Sequence, residues 1–390
     1  MSSKPAAVSG RNPFRPTFGV SPPVLAGRYE ILEEFALALA EGPGAMERAS
    51  LFVGGRGTGK TVMLNEVEHL ARQHGWYIVA ETATPGLLDR LVKQRLPELL
   101  RRVGPDFDGW RLKAVSGFGV GAEWEATARF PYRPDLRAQL AELSDVIARA
   151  GTGGGLVLTI DEIHGGDRHE LRELGATIQH CFREERPVAF VAAGLPAAVQ
   201  DLLLKDKVLT FLRRGARYEL GDVDRAEASH ALEAPIVDGG RSIAADALDL
   251  ATHASRGYPF LIQLIGAQLW RHAGDAPLIT LEVAERAVRT ALPRMGRLLH
   301  EPVLADLSPV DRRFLAAMAE DDGPSRSHDI AMRMGVDDNY VSQYRLRLIA
   351  AEVIRPAGYG RVEFELPYLR EYLVDRGLVA AAQEPALNAS

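Results

Sequence analysis

The chain has few cysteines, no long apolar runs and no excess of basic residues. Its single cysteine, Cys181, excludes an internal disulfide and favours a cytoplasmic setting. No stretch approaches 18 uninterrupted apolar residues, and Met1–Pro5 has no apolar segment, so we expect neither a membrane span nor a signal peptide. The formal net charge of −6 gives no general attraction to nucleic acid. Binding of nucleic acid would therefore require a local basic patch.

What is present is the composition of a globular protein of several domains. The 390 residues are 46% hydrophobic and 25% charged, and a chain of this length exceeds one ordinary hydrophobic core. Residues 1–24 and 379–390 are rich in small residues and proline, and we expect them to form a flexible arm and a flexible tail.

Residues 54–61 form a complete phosphate-binding loop, G-x-x-x-x-G-K-[ST]. An apolar strand precedes it at Leu51–Val53, and residues with helical spacing follow it. In such a loop Lys60 reaches the β- and γ-phosphates, and the Thr61 hydroxyl holds Mg²⁺. The residues assigned to nucleotide binding are Gly54, Gly55, Arg56, Gly57, Thr58, Gly59, Lys60, Thr61 and the adjoining Val62.

A second apolar strand ends in two carboxylates. Leu156–Ile160 is followed by Asp161 and Glu162, which places both acids at the carboxyl edge of a parallel sheet, where ligands bind. Asp161 is suited to the metal as a Walker-B acid, and Glu162 is suited to act as the base for the attacking water. The sequence therefore predicts an ATP site with Mg²⁺.

Short apolar runs alternate with helical stretches over residues 25–220. This pattern predicts an α/β core, a parallel sheet with helices on both faces. The expected strands are Leu51–Val53, Tyr77–Ala80, Leu156–Ile160 and Val188–Ala192. Residues 111–129 break the alternation and predict a β-hairpin insertion.

Two further domains are expected. Residues 221–300 have helical patterns throughout, which predicts an all-α lid beginning with a capping box at Asp224 and Glu227. Residues 301–378 predict three helices and a strand–turn–strand, the order of a winged helix-turn-helix domain.

These motifs together resemble those of the AAA+ P-loop ATPases, in the branch that joins origin-recognition-type initiators to STAND signalling ATPases. The resemblance covers about residues 25–375. It implies that Gly27, Arg28 and Ile31 lie beside the adenine. It also implies that Pro259, in a Gly-x-Pro element of the lid, lies against the base.

The chain departs from the family pattern at two positions. Ala193 and Gly194 stand where relatives carry a polar sensor side chain, and Pro259 stands where many have a sensor arginine. Both departures favour slow hydrolysis. Arg213 and Arg214 are placed where a relative's arginine finger reaches a neighbour's γ-phosphate, although a solvated basic run is the alternative.

The third helix and hairpin of the C-terminal domain carry a local excess of positive charge. Against this, residues 304–376 contain 10 arginines, no lysine and 13 acidic residues, which is unlike a strong DNA binder. The residues expected to contact double-stranded DNA are Asn339, Tyr340, Ser342, Gln343, Arg345, Arg347, Tyr359 and Arg361.

The leading hypothesis is an ATP hydrolase that acts as a nucleotide-dependent switch and binds DNA through its C-terminal domain. The alternative is a STAND-like signalling or scaffold ATPase. In that case the C-terminal domain binds protein, and the nucleotide gates self-assembly into an oligomer.

Overall fold

A computed structural model describes residues 10–17, 19–103, 135–151, 153–205 and 212–377. These residues form an α/β core, a helical lid and a C-terminal domain of helices with a small sheet. The hairpin predicted at 111–129 and the tail at 379–390 lie outside the described residues.

The core is built on five parallel strands within the described ranges, in the spatial order β2-β3-β4-β1-β5. The strands are β1 (Ala49–Gly54), β2 (Tyr77–Thr82), β3 (Leu156–Asp161), β4 (Val188–Gly194) and β5 (Ala216–Leu220). The register pairs Val53 of β1 with Gly194 of β4, so the strands that carry the phosphate loop and the sensor position end side by side. The predicted α/β fold with a parallel sheet is confirmed.

The strand β5 was missed from the sequence. It lies at the edge of the sheet and pairs with β1 alone among the described strands. Its exposed positions are occupied by charged residues, Arg217 and Glu219, so it lacks the continuous apolar run of the buried strands.

Helices cover both faces of the sheet. The core helices are α1 (Tyr29–Glu41), α2 (Lys60–Gln73), α3 (Leu87–Arg90), α4 (Leu96–Val103), α5 (Leu136–Ala150), α6 (Arg168–Arg183) and α7 (Pro196–Lys205). On one face, Phe52 and Val191 pack with Phe35 and Val67 of α1 and α2. On the other, alternate strand residues pack against α3–α7.

The lid consists of α8 (Arg225–Asp238), α9 (Ala245–Ser255), α10 (Pro259–Ala273) and α11 (Leu281–Met295). The expectation of helices throughout was wrong in one detail. Two short strands, β6 (Ser242–Ile243) and β7 (Leu278–Ile279), pair in parallel and hold the connections between the helices together.

The C-terminal domain continues from the lid through a π-helical turn, Gly296–His300. Its elements are α12 (Glu301–Ala305), α13 (Pro309–Ala319), β8 (Ser325–Arg326), α14 (Ser327–Met334), α15 (Asp338–Ala350), β9 (Ile354–Pro356), β10 (Arg361–Phe364) and α16 (Leu369–Asp375). The three strands pair antiparallel in the order β8-β10-β9. The side chain of Asp337 caps α15 by accepting the Tyr340 N–H.

The lid and the C-terminal domain share one apolar core. Leu264 and Ala287 of the lid belong to the same buried cluster as Phe314, Val341 and Leu369 of the C-terminal domain. The two parts are therefore packed as neighbours, although their sequence patterns differ. No helix among the described residues has both the length and the apolar character of a membrane span.

Residues 10–17 differ from the loose arm expected of them, because they pack on the lid. The ring of Phe14 is buried, and it lies so close to Gly266 that a Cβ there would come within 2.3 Å of it. Asn12 Nδ2 donates to the Ala267 carbonyl at 3.1 Å, and the Arg15 N–H donates to Gln263 Oε1 at 3.1 Å.

We expect Phe14→Ala to destabilise the lid, because it leaves a cavity against α10. Truncation of a buried phenylalanine costs about 3–5 kcal/mol. The midpoint of thermal unfolding should fall by several degrees. In Leu37→Ala, which truncates an apolar side chain that is 62% exposed, the midpoint should stay within about a degree of wild type. Equal midpoints in the two variants would contradict the packing of the arm.

Candidate nucleotide site

The phosphate loop joins β1 to α2 in a sharp turn. Gly57 and Gly59 have φ values of 75° and 95°, a region that L-residues with a side chain rarely adopt. The buried Lys60 side chain folds back, and its Nζ donates to the Gly54 and Gly55 carbonyls at 2.9 Å each. Burial lowers the pKa of Lys60, against the opposing effect of Glu162, Glu352 and Asp161.

The two residues expected to hold the metal lie together. Thr61 Oγ1 donates to Asp161 Oδ2 at 2.7 Å, across the gap between α2 and the end of β3. A hydroxyl oxygen and a carboxylate at this separation provide the hard oxygen ligands that Mg²⁺ prefers. The donor set therefore fits a magnesium ion that completes its coordination with phosphates and water.

Glu162 follows Asp161 with an unusual backbone. Its φ is 50°, in the left-handed region, and its N–H donates to Asp161 Oδ1 at 2.8 Å. Such a conformation in a non-glycine residue is typical of functional sites. It turns the chain into a short 3₁₀ turn, Ile163–Gly165, immediately after β3.

His164 connects Glu162 to the end of β4. Its Nε2 lies 3.3 Å from Glu162 Oε2, and its Nδ1 accepts the Leu195 N–H at 3.4 Å. Burial lowers the pKa of His164, so the neutral ring carries its proton on Nε2, towards the carboxylate. The ring lies 3.4 Å from where a Cβ on Gly194 would be, at the strand end that lacks a polar sensor residue.

A cavity of about 440 Å³ opens beside the phosphate loop. This volume is within the usual range for a small-molecule site. Its apolar wall is formed by residues from the arm, the lid and the start of the C-terminal domain, namely Val20, Pro22, Val24, Leu25, Val223, Pro259, Ile262, Leu298, Leu299 and Val303. An apolar wall next to a phosphate loop suits a flat base.

The predicted nucleotide-binding residues divide into two groups. Those that line the cavity are Arg28, Arg56, Gly57, Thr58, Gly59, Lys60, Thr61, Val62 and Pro259, together with Glu162. Those outside the cavity lining are Gly27, Ile31, Gly54 and Gly55. Ile31 packs against the core face formed by α1 and α2.

Gly27 has a different role in this structure. Its N–H donates to Glu227 Oε2 at 2.8 Å, which ties the segment before α1 to the lid. The capping box expected at Asp224 and Glu227 is therefore only half formed. Asp224 accepts the Glu227 N–H at 2.8 Å, while the Glu227 carboxylate is used by Gly27.

Tyr258 joins the lid to the phosphate loop, a contact that the sequence did not predict. Its buried hydroxyl donates to the Arg56 carbonyl. A Cβ on Gly57 would lie 2.1 Å from the same hydroxyl oxygen, so the loop and the lid are in close contact. Burial raises the pKa of Tyr258, which keeps the hydroxyl as a donor at neutral pH. The available signal was its place beside Pro259.

The C-terminal domain also reaches the loop. The Glu352 carboxylate is buried, and Oε2 lies 3.9 Å from where a Cβ on Gly55 would be, as does Glu365 Oε1. Nothing in the local sequence around Glu352 distinguishes it from a surface acid, so it was missed.

The arginines considered as fingers lie away from this cavity. The exposed Arg213 donates from Nη2 to the Leu203 carbonyl at 2.7 Å. Arg214 lines a separate pocket with Arg48. They are therefore placed outside the nucleotide cavity of their own chain.

The candidate DNA contacts lie on α15 and the β9–β10 turn. Asn339, Ser342, Gln343, Arg347 and Tyr359 are exposed; Tyr340, Arg345 and Arg361 are partly buried. Tyr340 packs on the ring of Tyr344 at 4.8 Å, and Arg347 pairs with the buried Asp311 at 3.0 Å. The helix α15 also contacts α7 of the core.

The comparisons agree with this geometry. Residues 24–191 match the family model described as AAA ATPase domain. This part of the chain is therefore similar in sequence to AAA ATPase domains. Residues 297–373 match a second model, described as a domain of unknown function (DUF8462). No curated protein matches the sequence.

Solved structures extend the likeness to most of the chain. The Walker-type ATPase paby2304 of Pyrococcus abyssi is 15% identical with a TM-score of 0.60, covering 90% of this chain and 96% of that one. The ORC2 protein of Aeropyrum pernix is 14% identical with a TM-score of 0.61, covering 95% and 98%. At these identities the likeness shows a shared fold. The predicted AAA+-like P-loop fold is confirmed.

We expect Gly57→Ala to separate the lid from the phosphate loop, because the new methyl group would overlap the Tyr258 hydroxyl. Hydrogen–deuterium exchange of residues 256–262 should rise. The matched control is Gly151→Ala, where φ is 68° and a Cβ meets nothing within 4 Å. Both variants carry a left-handed alanine, at about 1–2 kcal/mol, but only Gly57→Ala should alter exchange in the lid. Unchanged exchange in both would contradict the contact.

Proposed function

We propose that this protein is an ATP-dependent molecular switch whose C-terminal domain, a winged helix, binds double-stranded DNA. The observation that supports it is a single cavity bordered by the phosphate loop, the lid and the segment leading into the C-terminal domain. A nucleotide in this cavity contacts all three parts, so it can stabilise one arrangement of them.

Each residue of the site has a role in this proposal. Lys60 binds the β- and γ-phosphates, and Glu162 deprotonates the attacking water. Thr61 and Asp161 would hold Mg²⁺, which neutralises charge on the phosphates when bound. His164, whose Nε2 lies 3.3 Å from Glu162 Oε2, orients this carboxylate, in the place where relatives use a polar side chain on β4.

Adenine is the proposed base, and hydrolysis is proposed to be slow. The Aeropyrum pernix ORC2 structure is of ADPNP and ADP complexes, which supports an adenine nucleotide in the shared fold. Ala193 and Gly194 offer no side chain to the γ-phosphate, and Pro259 offers no charge. A site with fewer transition-state contacts turns over slowly, as suits a switch.

The DNA proposal depends on the exposed residues of α15 and the β9–β10 turn. Asn339 and Gln343 are exposed near the start of α15, where recognition helices read base edges. Tyr359 is fully exposed at the tip of the turn, next to Arg361, and is positioned to contact phosphate.

An alternative partner is a protein, and one observation favours it. Met332 on α14 is 71% exposed and Leu346 on α15 is 64% exposed, so apolar side chains are found on the same domain. In this case the nucleotide would gate self-assembly, with Arg213 or Arg214 reaching the site of a neighbouring copy.

We expect Lys60→Ala to abolish nucleotide binding, because it removes the buried ammonium that would bind the β- and γ-phosphates. Glu162→Gln should keep binding and lose turnover by about 10²-fold or more, since general-base catalysis contributes about 10²–10⁴-fold. Calorimetry with ADP and single-turnover hydrolysis of ATP measure the two effects.

The exposed Glu173, on the surface of α6, provides the matched control for the charge change at Glu162. Glu173→Gln should bind and hydrolyse ATP like wild type. Wild-type turnover in Glu162→Gln would eliminate the base assignment, and tight ADP binding by Lys60→Ala would eliminate the site.

We expect salt-dependent binding of random duplex DNA, measured by gel shift at several salt concentrations with and without ATP. Arg361→Ala should weaken binding for all sequences and reduce the salt slope by about 1, because one phosphate contact is lost. Arg312→Ala, an exposed change on α13 in the same domain, should bind like wild type. No shift even at low salt would favour the protein partner.

A further inference from the structure

Glu352 has two energetically unfavourable features, its backbone conformation and the burial of its carboxylate. It lies in the turn after α15 with a φ of 56°, in the left-handed region. The residue is only 6% exposed, and neither carboxylate oxygen has a hydrogen-bond partner among the described residues. A buried carboxylate without partners and a strained backbone are both unfavourable, and they persist where the surrounding structure enforces them.

Charged groups of the phosphate loop and of the elements around it act on this carboxylate. Glu352 faces the cations Lys60 and Arg56 and the acids Glu365 and Glu162. Burial raises the pKa of Glu352 to about 7, with Lys60 opposing the shift. Three of these neighbours, Lys60, Arg56 and Glu162, belong to the site described above.

The carboxylate lies beside the phosphate loop, although it is not among the residues that line the cavity. Lys60 is the residue that reaches the β- and γ-phosphates, and Glu162 is the acid next to the attacking water. Glu352 Oε2 is 3.9 Å from where a Cβ on Gly55 would be, at the start of the loop, so it is next to the loop backbone.

We propose that Glu352 determines which nucleotide the site prefers, because with the C-terminal domain docked its negative charge opposes a γ-phosphate and leaves room for a nucleoside diphosphate. This inference rests on the proposed nucleotide site. A triphosphate places an additional negative charge next to Lys60, in a region of low dielectric where like charges repel strongly.

Because coupling between two binding events is reciprocal, the nucleotide also affects how the C-terminal domain docks on the phosphate loop. If docking weakens triphosphate binding, a triphosphate weakens docking by the same factor. The contacts that would open are those between the C-terminal domain and the core. There, α15 packs on α7, and Glu352 and Glu365 lie beside Gly55. The apolar packing between the C-terminal domain and the lid would remain.

The test is the ratio of dissociation constants for AMPPNP and ADP, measured by calorimetry on the full chain with Mg²⁺ at pH 8, where the carboxyl is ionised. Wild type should prefer ADP. Glu352→Gln should tighten AMPPNP binding about tenfold or more, which is about 1.4 kcal/mol, and change ADP binding less than about threefold. Glu363→Gln, on β10 and bonded to Arg355 at 2.7 Å, should leave both constants unchanged.

Two results would overturn the inference. If the ratio of the AMPPNP and ADP dissociation constants in Glu352→Gln equals that of wild type, the charge of Glu352 does not determine the nucleotide preference. A weaker AMPPNP constant would show that Glu352 is a ligand of the triphosphate complex. Glu352→Asn is a second neutral variant, since asparagine tolerates a left-handed backbone, and it should shift the ratio in the same direction. Failure of wild type to bind either nucleotide would instead refute the proposed function.

Discussion

The buried ammonium of Lys60 is the constraint on which the site depends. Its charge is taken out of water and held by two loop carbonyls at 2.9 Å. Three acids compensate it at longer range, and they come from different parts of the chain: Asp161 and Glu162 from the end of β3, and Glu352 from the C-terminal domain. A buried cation needs such compensation. The phosphates of a nucleotide would provide it more directly.

A change in the charges around Lys60 affects the lid and the C-terminal domain, because both contact the phosphate loop and pack on each other. Tyr258 joins the lid to the phosphate loop, and Glu352 brings the C-terminal domain to the same loop. Behind these contacts, the lid and the C-terminal domain share one apolar cluster. A local change of charge at the loop can therefore shift the balance between two arrangements of large parts, as two-state packing allows.

The sequence predicted what depends on local pattern. The phosphate loop, the acids after β3 and four of the strands were found because each is a contiguous run with its own chemistry. The edge strand β5 was missed because it lacks a continuous apolar run. Val20 reaches the cavity and Glu352 reaches the phosphate loop only through tertiary packing, which no local spacing records, so both were missed. His164 follows Glu162 closely in the sequence, but its contact at the end of β4 depends on the register of the sheet.

The N-terminal segment limits how far the lid can open. Phe14 is anchored in the lid against Gly266, while the carbonyl of Gly19 accepts from Asn65 Nδ2 of the core at 2.7 Å. Five residues of extended chain span at most about 17 Å, so these two anchors cannot separate beyond that distance while both hold. The arm therefore acts as a tether of fixed reach, and wider opening of the cleft requires one anchor to be released first.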